Sequence, residues 1–302
     1  IDLLRQEGAG HFIINLENAV TVDGQYWPDK GIHYRMHPRN IDVFQAAGVD
    51  CCSLANNHAL DFDRSGLEET LDHLSAARIA AVGAGATLSE ARKVCYLGGE
   101  KQPAGEAAGP PENLPVTSGK VAVLAVCFPD SGVPHLWAAE DDTSGLFFLR
   151  EPGERAAATV VDALQDVPEE VPRVLSVHWG SNWGYEIPEK QRRFARALIE
   201  SGAVDLVFGH SSHHPKEVEV YRERAILYGA GDLINDYEGI GGHQGYRPDL
   251  GLFYTVELRR GAVGRLEATP LRRRRFRLEF ASKVDARFLS KVLSRDGRGS
   301  EV

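Results

Sequence analysis

Four cysteines stand in this chain of 302 residues, Cys51, Cys52, Cys95 and Cys127, and no two have a C-x-x-C spacing. The spacing on which zinc ribbons and dithiol redox pairs rest is therefore missing. Each cysteine sits in or beside an apolar, strand-like run, so small buried thiols in reducing surroundings are expected. No apolar run approaches the ~18 residues of a membrane span. Positive charge is also short. Lys and Arg number 34 against 43 Asp and Glu, a net charge of −9, which argues against general nucleic-acid binding. The chain opens with Ile1 and not Met. It is read as processed or as starting inside a longer sequence, so an upstream signal peptide or anchor would not be visible and both a cytoplasmic and an exported location stay open.

What is present is ordinary for a globular protein: 43% hydrophobic and 25% charged residues, in a chain long enough to bury a large core. Strand and helix patterns alternate over the first two thirds. Strands are predicted over 11–15, 50–55, 79–82, 120–127, 173–178 and 204–208, and helices over 40–47, 65–76, 153–164 and 189–201. The character then changes. Residues 217–221, 224–228, 251–258 and 263–271 read as successive strands with tight turns at Arg222-Glu223 and Arg259 to Gly261, and 282–293 as a terminal helix. Alternating elements followed by antiparallel ones predict an α/β fold with a mixed sheet or two packed sheets. Residues 1–281 are read as one domain with a flexible insertion at about 102–118, and 282–302 as a C-terminal helix and tail. Tyr26 to Pro38 reads as a long irregular loop beside a strand tip. The tract Arg272 to Arg277 reads either as an edge strand showing alternate arginines to water or as a grip for an anionic partner.

Three strands end in histidine. The run Val204 to Phe208 leads into Gly209-His210-Ser211-Ser212-His213-His214, Val174 to Val177 leads into His178-Trp179-Gly180, and Cys52 to Ala55 leads into Asn56-Asn57-His58. Strand tips are where α/β folds place their chemistry. Neutral imidazole is a common nitrogen ligand for zinc, iron and manganese, so three such tips point to a metal site. Asn57 offers a hard oxygen ligand or a cap. His58 is suited to proton transfer, with Asp61 three residues on to orient it. Glu17 closes an apolar strand, where a carboxylate suits a metal bridge better than packing. His210 and His213, three apart in a loop, can turn toward one ion or one each of two; His214 is expected to face elsewhere. Trp179, Trp183 and Tyr185 offer an aromatic wall beside His178. Asp232 and Asp236 read equally as groups holding the histidine rings and as turn caps. Lys216 and Arg247 read as solvated surface cations or as contacts for an anionic substrate.

The ordered set Asn15-Leu-Glu17, Ala55-Asn-Asn57-His58-Ala-Leu-Asp61, His178-Trp-Gly180, Gly209-His210 with His213, and Leu227-Tyr-Gly-Ala-Gly-Asp232 resembles the CapA family of poly-γ-glutamate and capsule biosynthesis proteins, in the calcineurin-like metallophosphatase superfamily. The likeness runs over nearly the whole chain, and Trp27 to Pro38 and Asn182 to Pro188 share it. It implies a four-layer α/β/β/α sandwich of the metallo-dependent phosphatase type with two divalent metal ions (Mn, Fe or Zn) at the strand tips. By the same likeness Glu17 would match the bridging acid, Asn57, His178 and His210 the ligands of one metal, His213 a ligand of the other, and His58 the proton donor. The family opens with a strand and a Gly-Asp pair whose carboxylate binds the first metal. This chain starts after that point, at a helix feeding the Glu17 strand: either the sequence lacks its N-terminal segment, first strand included, or the protein has lost that ligand, which would weaken one metal position and put hydrolysis in doubt. Asp63 stands where the family has Gly, a local loop change.

Three functions follow. The first is a metal-dependent hydrolase of phosphoester type acting on an anionic small molecule or polymer. The second is a non-catalytic assembly factor that binds polymer or capsule-synthesis partners. The third is a metal-independent peptide epimerase on the same fold.

Overall fold

Short runs of β-branched and small apolar residues, each closed by a turn or a capped helix, set the order of the elements in the computed structural model, which describes residues 10–98, 119–235 and 242–295. The N-terminal helix, the 102–118 insertion, Asp236 and the C-terminal tail of the sequence reading lie outside these residues. The first sheet is parallel and three-stranded. It joins β1 (Ile13–Asn15), β2 (Cys51–Ser53) and β3 (Ala80–Val82) in that order. Helices α1 (Asp42–Ala47) and α2 (Asp63–Ala76) form the crossovers.

The second sheet carries six strands: β4 (Cys95–Leu97), β5 (Val121–Cys127), β6 (Arg173–His178), β7 (Leu206–His210), β8 (Val218–Tyr221) and β9 (Arg224–Leu227). Their spatial order is β8-β9-β7-β6-β5-β4. The four central strands are parallel and the two edges antiparallel. Helices α3 (Glu154–Ala163) and α4 (Glu189–Glu200) connect the parallel strands. Strand β5 shows why this sheet is apolar throughout. Ala122, Leu124 and Val126 join one buried cluster with Phe194 and Leu198 of α4, while Val123, Ala125 and Cys127 join another with Cys51 and Cys52 of β2 and Leu67 and Leu74 of α2. A sheet covered on both faces loses the polar alternation of a half-exposed one. Burial of the cysteines is as expected for three of four: Cys51, Cys52 and Cys127 are buried, Cys95 is half-buried, and all four are free thiols. Burial pushes the Cys52 thiol up to about 12.

The third sheet is an antiparallel meander of β10 (Leu250–Arg259), β11 (Ala262–Arg274) and β12 (Arg277–Phe280). The terminal helix α5 (Lys283–Leu293) begins at Ser282, whose hydroxyl accepts from the Asp285 N–H, and sends Leu289 and Leu293 into the core.

Five readings of the sequence need correction. The strand predicted over 204–208 runs from Leu206 to His210, so His210 belongs to the ladder and not to a loop. The ladder extends because His210 sits in register with His178 on β6 and both rings pack inward. The loop predicted over 26–38 contains a two-residue parallel ladder, Arg35–Met36 with Ala19–Val20, held by Ala19 N–H on Tyr34 O. The arginine tract is not an edge. Strand β11 is the middle of its sheet, and the tract turns a hairpin at Arg275-Phe276. Arg272 and Arg274 do face solvent, but Arg273 is buried, with its guanidinium on the backbone carbonyls of Asp232, Pro248 and Leu250. Lys216 is buried and not a solvated surface cation; burial lowers its pKa, and Asp130 is the opposing charge. Arg247 is tied to Asp249 and Asp285, a structural clamp for α5.

Gly209 on β7 is closely packed between strands and the Trp179 indole. A Cβ there would stand 2.5 Å from Leu227 O, 2.7 Å from Tyr228 O and 2.8 Å from Trp179 Nε1. The Gly209→Ala variant should lose about 1–3 kcal/mol of stability, the usual range for overpacking. Urea unfolding should show it as a lower midpoint with an unchanged slope. A wild-type midpoint would contradict this account of the strand.

Candidate metal centre

Residues in register on neighbouring parallel strands share a face and stand about 4.8 Å apart. His178 and His210 are such a pair, each the last residue of its strand. Their ring centroids lie 4.9 Å apart and their Nδ1 atoms 2.7 Å apart. The other nitrogens are also engaged. His178 Nε2 is 3.1 Å from Asn57 Oδ1, and His210 Nε2 is 2.7 Å from the hydroxyl of Ser176, two residues back along β6. Both rings are buried. Burial holds His210 down to about 3 and His178 well below its ordinary range, so both are uncharged at neutral pH. The chain then turns sharply: Ser211 adopts φ 110°, a conformation serine rarely takes, with its hydroxyl donating to Gly180 O.

Glu17 approaches from the end of β1. Its Oε1 lies 3.6 Å from His178 Nδ1. Asn15, on the same face two residues earlier, donates to Glu17 Oε1 at 2.6 Å, and Asn56 donates to Asn15 Oδ1 at 3.0 Å and to Leu16 O at 2.8 Å. Burial, reinforced by the charge of Asp232, pushes the Glu17 carboxyl up to about 7. Donor atoms of Glu17, His178 and His210 all lie within 4.8 Å of one another.

The chemistry of this donor set fits a divalent cation. Asn57 Oδ1 can only accept, so the His178 proton sits on Nε2 and leaves Nδ1 bare. If His210 donates Nε2–H to Ser176, its Nδ1 is bare too, and two lone pairs meet beside a carboxylate. That arrangement repels itself unless positive charge joins it. The Ser176 hydroxyl also allows the opposite tautomer, in which Ser176 donates to His210 Nε2 and His210 Nδ1–H donates to His178.

Two flanking groups border this trio. On one side His58 Nδ1 is 2.7 Å from Asp61 Oδ2 and 3.1 Å from Lys30 Nζ, and Lys30 also pairs with Asp61 Oδ1. Asp61 is fully buried and also accepts from the Tyr34 N–H at 2.7 Å. Burial lowers the His58 pKa; Asp61 opposes that shift, and the charges of Lys30 and His213 add to it. On the other side His213 Nδ1 lies 3.2 Å from both Asp232 oxygens. Burial alone would lower its pKa, but the hydrogen bond and charge of Asp232, helped by Glu17, raise it.

The sequence-predicted residues are therefore gathered unequally. Glu17, His178 and His210 converge. Asn57 meets His178 on the ring nitrogen away from the trio, and His213 faces Asp232. Asp232 does hold a histidine ring. The aromatic wall divides: Trp179 is buried, stacked on Tyr228 with Nε1 on Tyr228 O, while Trp183 lies 5.5 Å from the His213 ring. His214 turns away, stacked on Tyr246 with Nδ1 2.9 Å from Pro215 O. Sequence reasoning missed Lys30, Asn15, Asn56 and Ser176. For Asn15 and Ser176 a signal existed: each is two residues before a singled-out ligand and shares its face of the strand. Lys30 carried no such signal.

The profile of PGA_cap, the bacterial capsule synthesis protein family, matches residues 3–237. A Mycobacterium tuberculosis protein named "probable polyglutamine synthesis accessory protein" is 40% identical over 293 residues, 95% of this chain and 72% of its own length. The PGA biosynthesis protein CapA of Bacillus subtilis is 28% identical over 260 residues, 85% of this chain and 60% of its own. Among solved structures, the sulfate thiohydrolase SoxB of Thermus thermophilus overlaps 85% of this chain and 39% of its own, with 15% identity and a TM-score of 0.41, too loose a likeness to bear on the chemistry.

The buried histidines set an acid limit. Unfolded, each takes a proton near about pH 6.5, and protons bound only by the unfolded chain favour unfolding. Their contribution is present above that pH and lost as the pH falls toward the folded pKa. Glu17 acts in the opposite sense: its raised carboxyl favours the fold at low pH, and that contribution is lost as the pH rises through about 7. It offsets one histidine down to its ordinary value of 4.5 and nothing below. In the presence of a chelator, stability should fall from about pH 6.5 to about pH 4, and His210→Gln should flatten that fall by on the order of 3 kcal/mol. Urea titrations across that range check it; an equally steep loss in the variant would contradict the neutral, buried pair.

Proposed function

We propose, for a chain that belongs to the PGA_cap family of bacterial capsule synthesis proteins, that it is a CapA-type protein of capsule or poly-γ-glutamate biosynthesis whose crevice carries out metal-dependent hydrolysis. The observation that carries this reading is the convergence of Glu17, His178 and His210, from two separate sheets, on one buried point. The covering of the six-stranded sheet on both faces supports the finer fold reading, a four-layer α/β/β/α sandwich of the metallo-dependent phosphatase type, with residues 1–281 as one domain and α5 with the tail appended.

In this reading Glu17, His178 and His210 hold a divalent cation (Mn, Fe or Zn), Asn57 stands beside His178 as a further ligand of that ion, and His213 would serve a second ion. A cation held there supplies Lewis acidity and lowers the pKa of the water it binds. The protein's own groups do the rest. His58, held at Nδ1 by Asp61, keeps Nε2 for proton transfer to a leaving oxygen. Lys30 adds a positive charge beside it, suited to a substrate phosphate or carboxylate. Asp232 fixes the His213 ring. The substrate is an anionic small molecule or polymer, and the partners are components of capsule synthesis.

A second reading has one observation in its favour. The chain Ser176 to His210 to His178 to Asn57 closes as a hydrogen-bonded series without any cation. A metal-independent acid–base enzyme, such as a peptide epimerase, or a polymer-assembly factor without catalysis would use the crevice in that state.

Metal analysis after dialysis against Mn²⁺ or Zn²⁺ separates them. The wild type should retain metal stoichiometrically and release nitrophenol from p-nitrophenyl phosphate. The His178→Ala, His210→Ala double variant should do neither while remaining folded. Equal metal content in the two proteins would defeat the metal reading; retained metal without turnover would leave the assembly role. Ser176→Ala should keep the fold but weaken metal affinity by about 10–100-fold, the usual effect of removing a group that orients a ligating histidine. Calorimetric titration with Zn²⁺ measures it.

A further inference from the structure

Apart from Arg273, the arginine tract is not used by the site, and its geometry is costly. The hairpin between β11 and β12 turns at Arg275 (φ 50°) and Phe276 (φ 59°). Two-residue turns with both central residues at positive φ favour Asn-Gly, because a side chain there strains the backbone, most of all a bulky one. This chain keeps an arginine and a phenylalanine at those two positions, and Phe276 is 66% exposed. Phe280 on β12 and Val284 on α5 are exposed as well, at 63% and 72%. Apolar side chains held at a strained tip and bared to water are better explained by a contact than by packing.

The charge around them is equally uneven. Between Arg272 and Arg287 stand seven basic residues against Glu279 and Asp285, in a chain of net charge −9. Asp285 is already paired with Arg247, and Arg272 with Asp249. Arg274, Arg275 and Arg277 are exposed and have no carboxylate partner among the described residues. Arg274 and Arg277 face each other across the hairpin, so like charges stand side by side with nothing to relieve them.

We propose that the β11–β12 hairpin docks on an anionic lipid surface, Phe276 entering the headgroup boundary and Arg274, Arg275 and Arg277 binding lipid phosphates. Neither signal alone holds a protein on a bilayer, but basic charge and buried apolar surface together do. A long polyanion would run on from the patch across an acidic molecule, whereas a flat bilayer touches only the tip. The same strand carries Arg273, whose guanidinium grips the backbone carbonyl of Asp232. A docked hairpin thus holds the His213 side of the crevice near the surface. The proposal stands independently of the metal reading.

The test is co-sedimentation with vesicles of phosphatidylcholine alone or of phosphatidylcholine with equimolar phosphatidylglycerol. The full chain should bind only the anionic vesicles, and less at high salt. The variant Arg275→Asn, Phe276→Gly replaces the strained turn with the favoured one. It should unfold at an equal or higher urea concentration yet bind at least about 10-fold more weakly, having lost one cation and the inserted ring. Binding equal to wild type in this variant, or equal binding to both vesicle types, or none, would overturn the proposal. Preferential binding to single-stranded RNA over anionic vesicles, weakened by the same variant, would reassign the patch to nucleic acid and overturn it as well.

Discussion

Two imidazoles held nitrogen to nitrogen at the ends of adjacent parallel strands are the constraint around which this molecule is arranged. The pairing of β6 with β7 sets His178 and His210 side by side on one face. The space under them is filled, so neither ring can retreat. Gly209 is a glycine because the carbonyls of Leu227 and Tyr228 and the Trp179 indole crowd it. Ser176, one pleat below, and Asn57, from the loop after β2, occupy the outer nitrogens. A buried polar pair must be satisfied on every side or it destabilises the core. Here the unsatisfied direction is the one that Glu17 closes.

The flanks extend that logic to charge. Asp61 is fully buried and is matched by Lys30, His58 and the Tyr34 N–H. Asp232 is matched by His213 and Asn235, and its backbone by Arg273. The three sheets thus meet at the crevice through different chemistry. The parallel sheets deliver the trio, and the antiparallel meander braces the loop that carries Asp232. An isolated charge in such a place would shift its pKa or unfold the region. Each carboxylate around the crevice is instead paired with a cation or a donor whose position the fold has already fixed.

Much of this was legible in the sequence because the signals were local. Strands and helices followed from periodicity, and the strand over 173–178 agrees with the structure at both ends. Histidine after an apolar run was the strongest pointer: two such runs set His178 and His210 side by side, and the third brings Asn57 against His178. What escaped was long-range or conformational. Lys30 lies in a stretch with no periodicity, and its role appears only when Asp61, thirty-one residues away, folds beneath it. Asn56 was overlooked beside Asn57, yet it is the residue that stitches β1 to the loop after β2. Lys216 was expected at the surface because lysine is rarely buried; the turn after β7 carries it inward. The arginine tract read as a strand because alternation continues to Arg274, and nothing in composition announced a turn made of arginine and phenylalanine.

The central claim is that Glu17, His178 and His210 bind a metal ion at one point. Anomalous diffraction from crystals grown with Mn²⁺ or Zn²⁺ tests it most directly. The account predicts a peak about 2.0–2.2 Å from Nδ1 of both histidines and from a Glu17 oxygen. A structure with the metal in the crystal and no peak between those three side chains, their hydrogen-bonded chain from Ser176 to Asn57 intact, would contradict it.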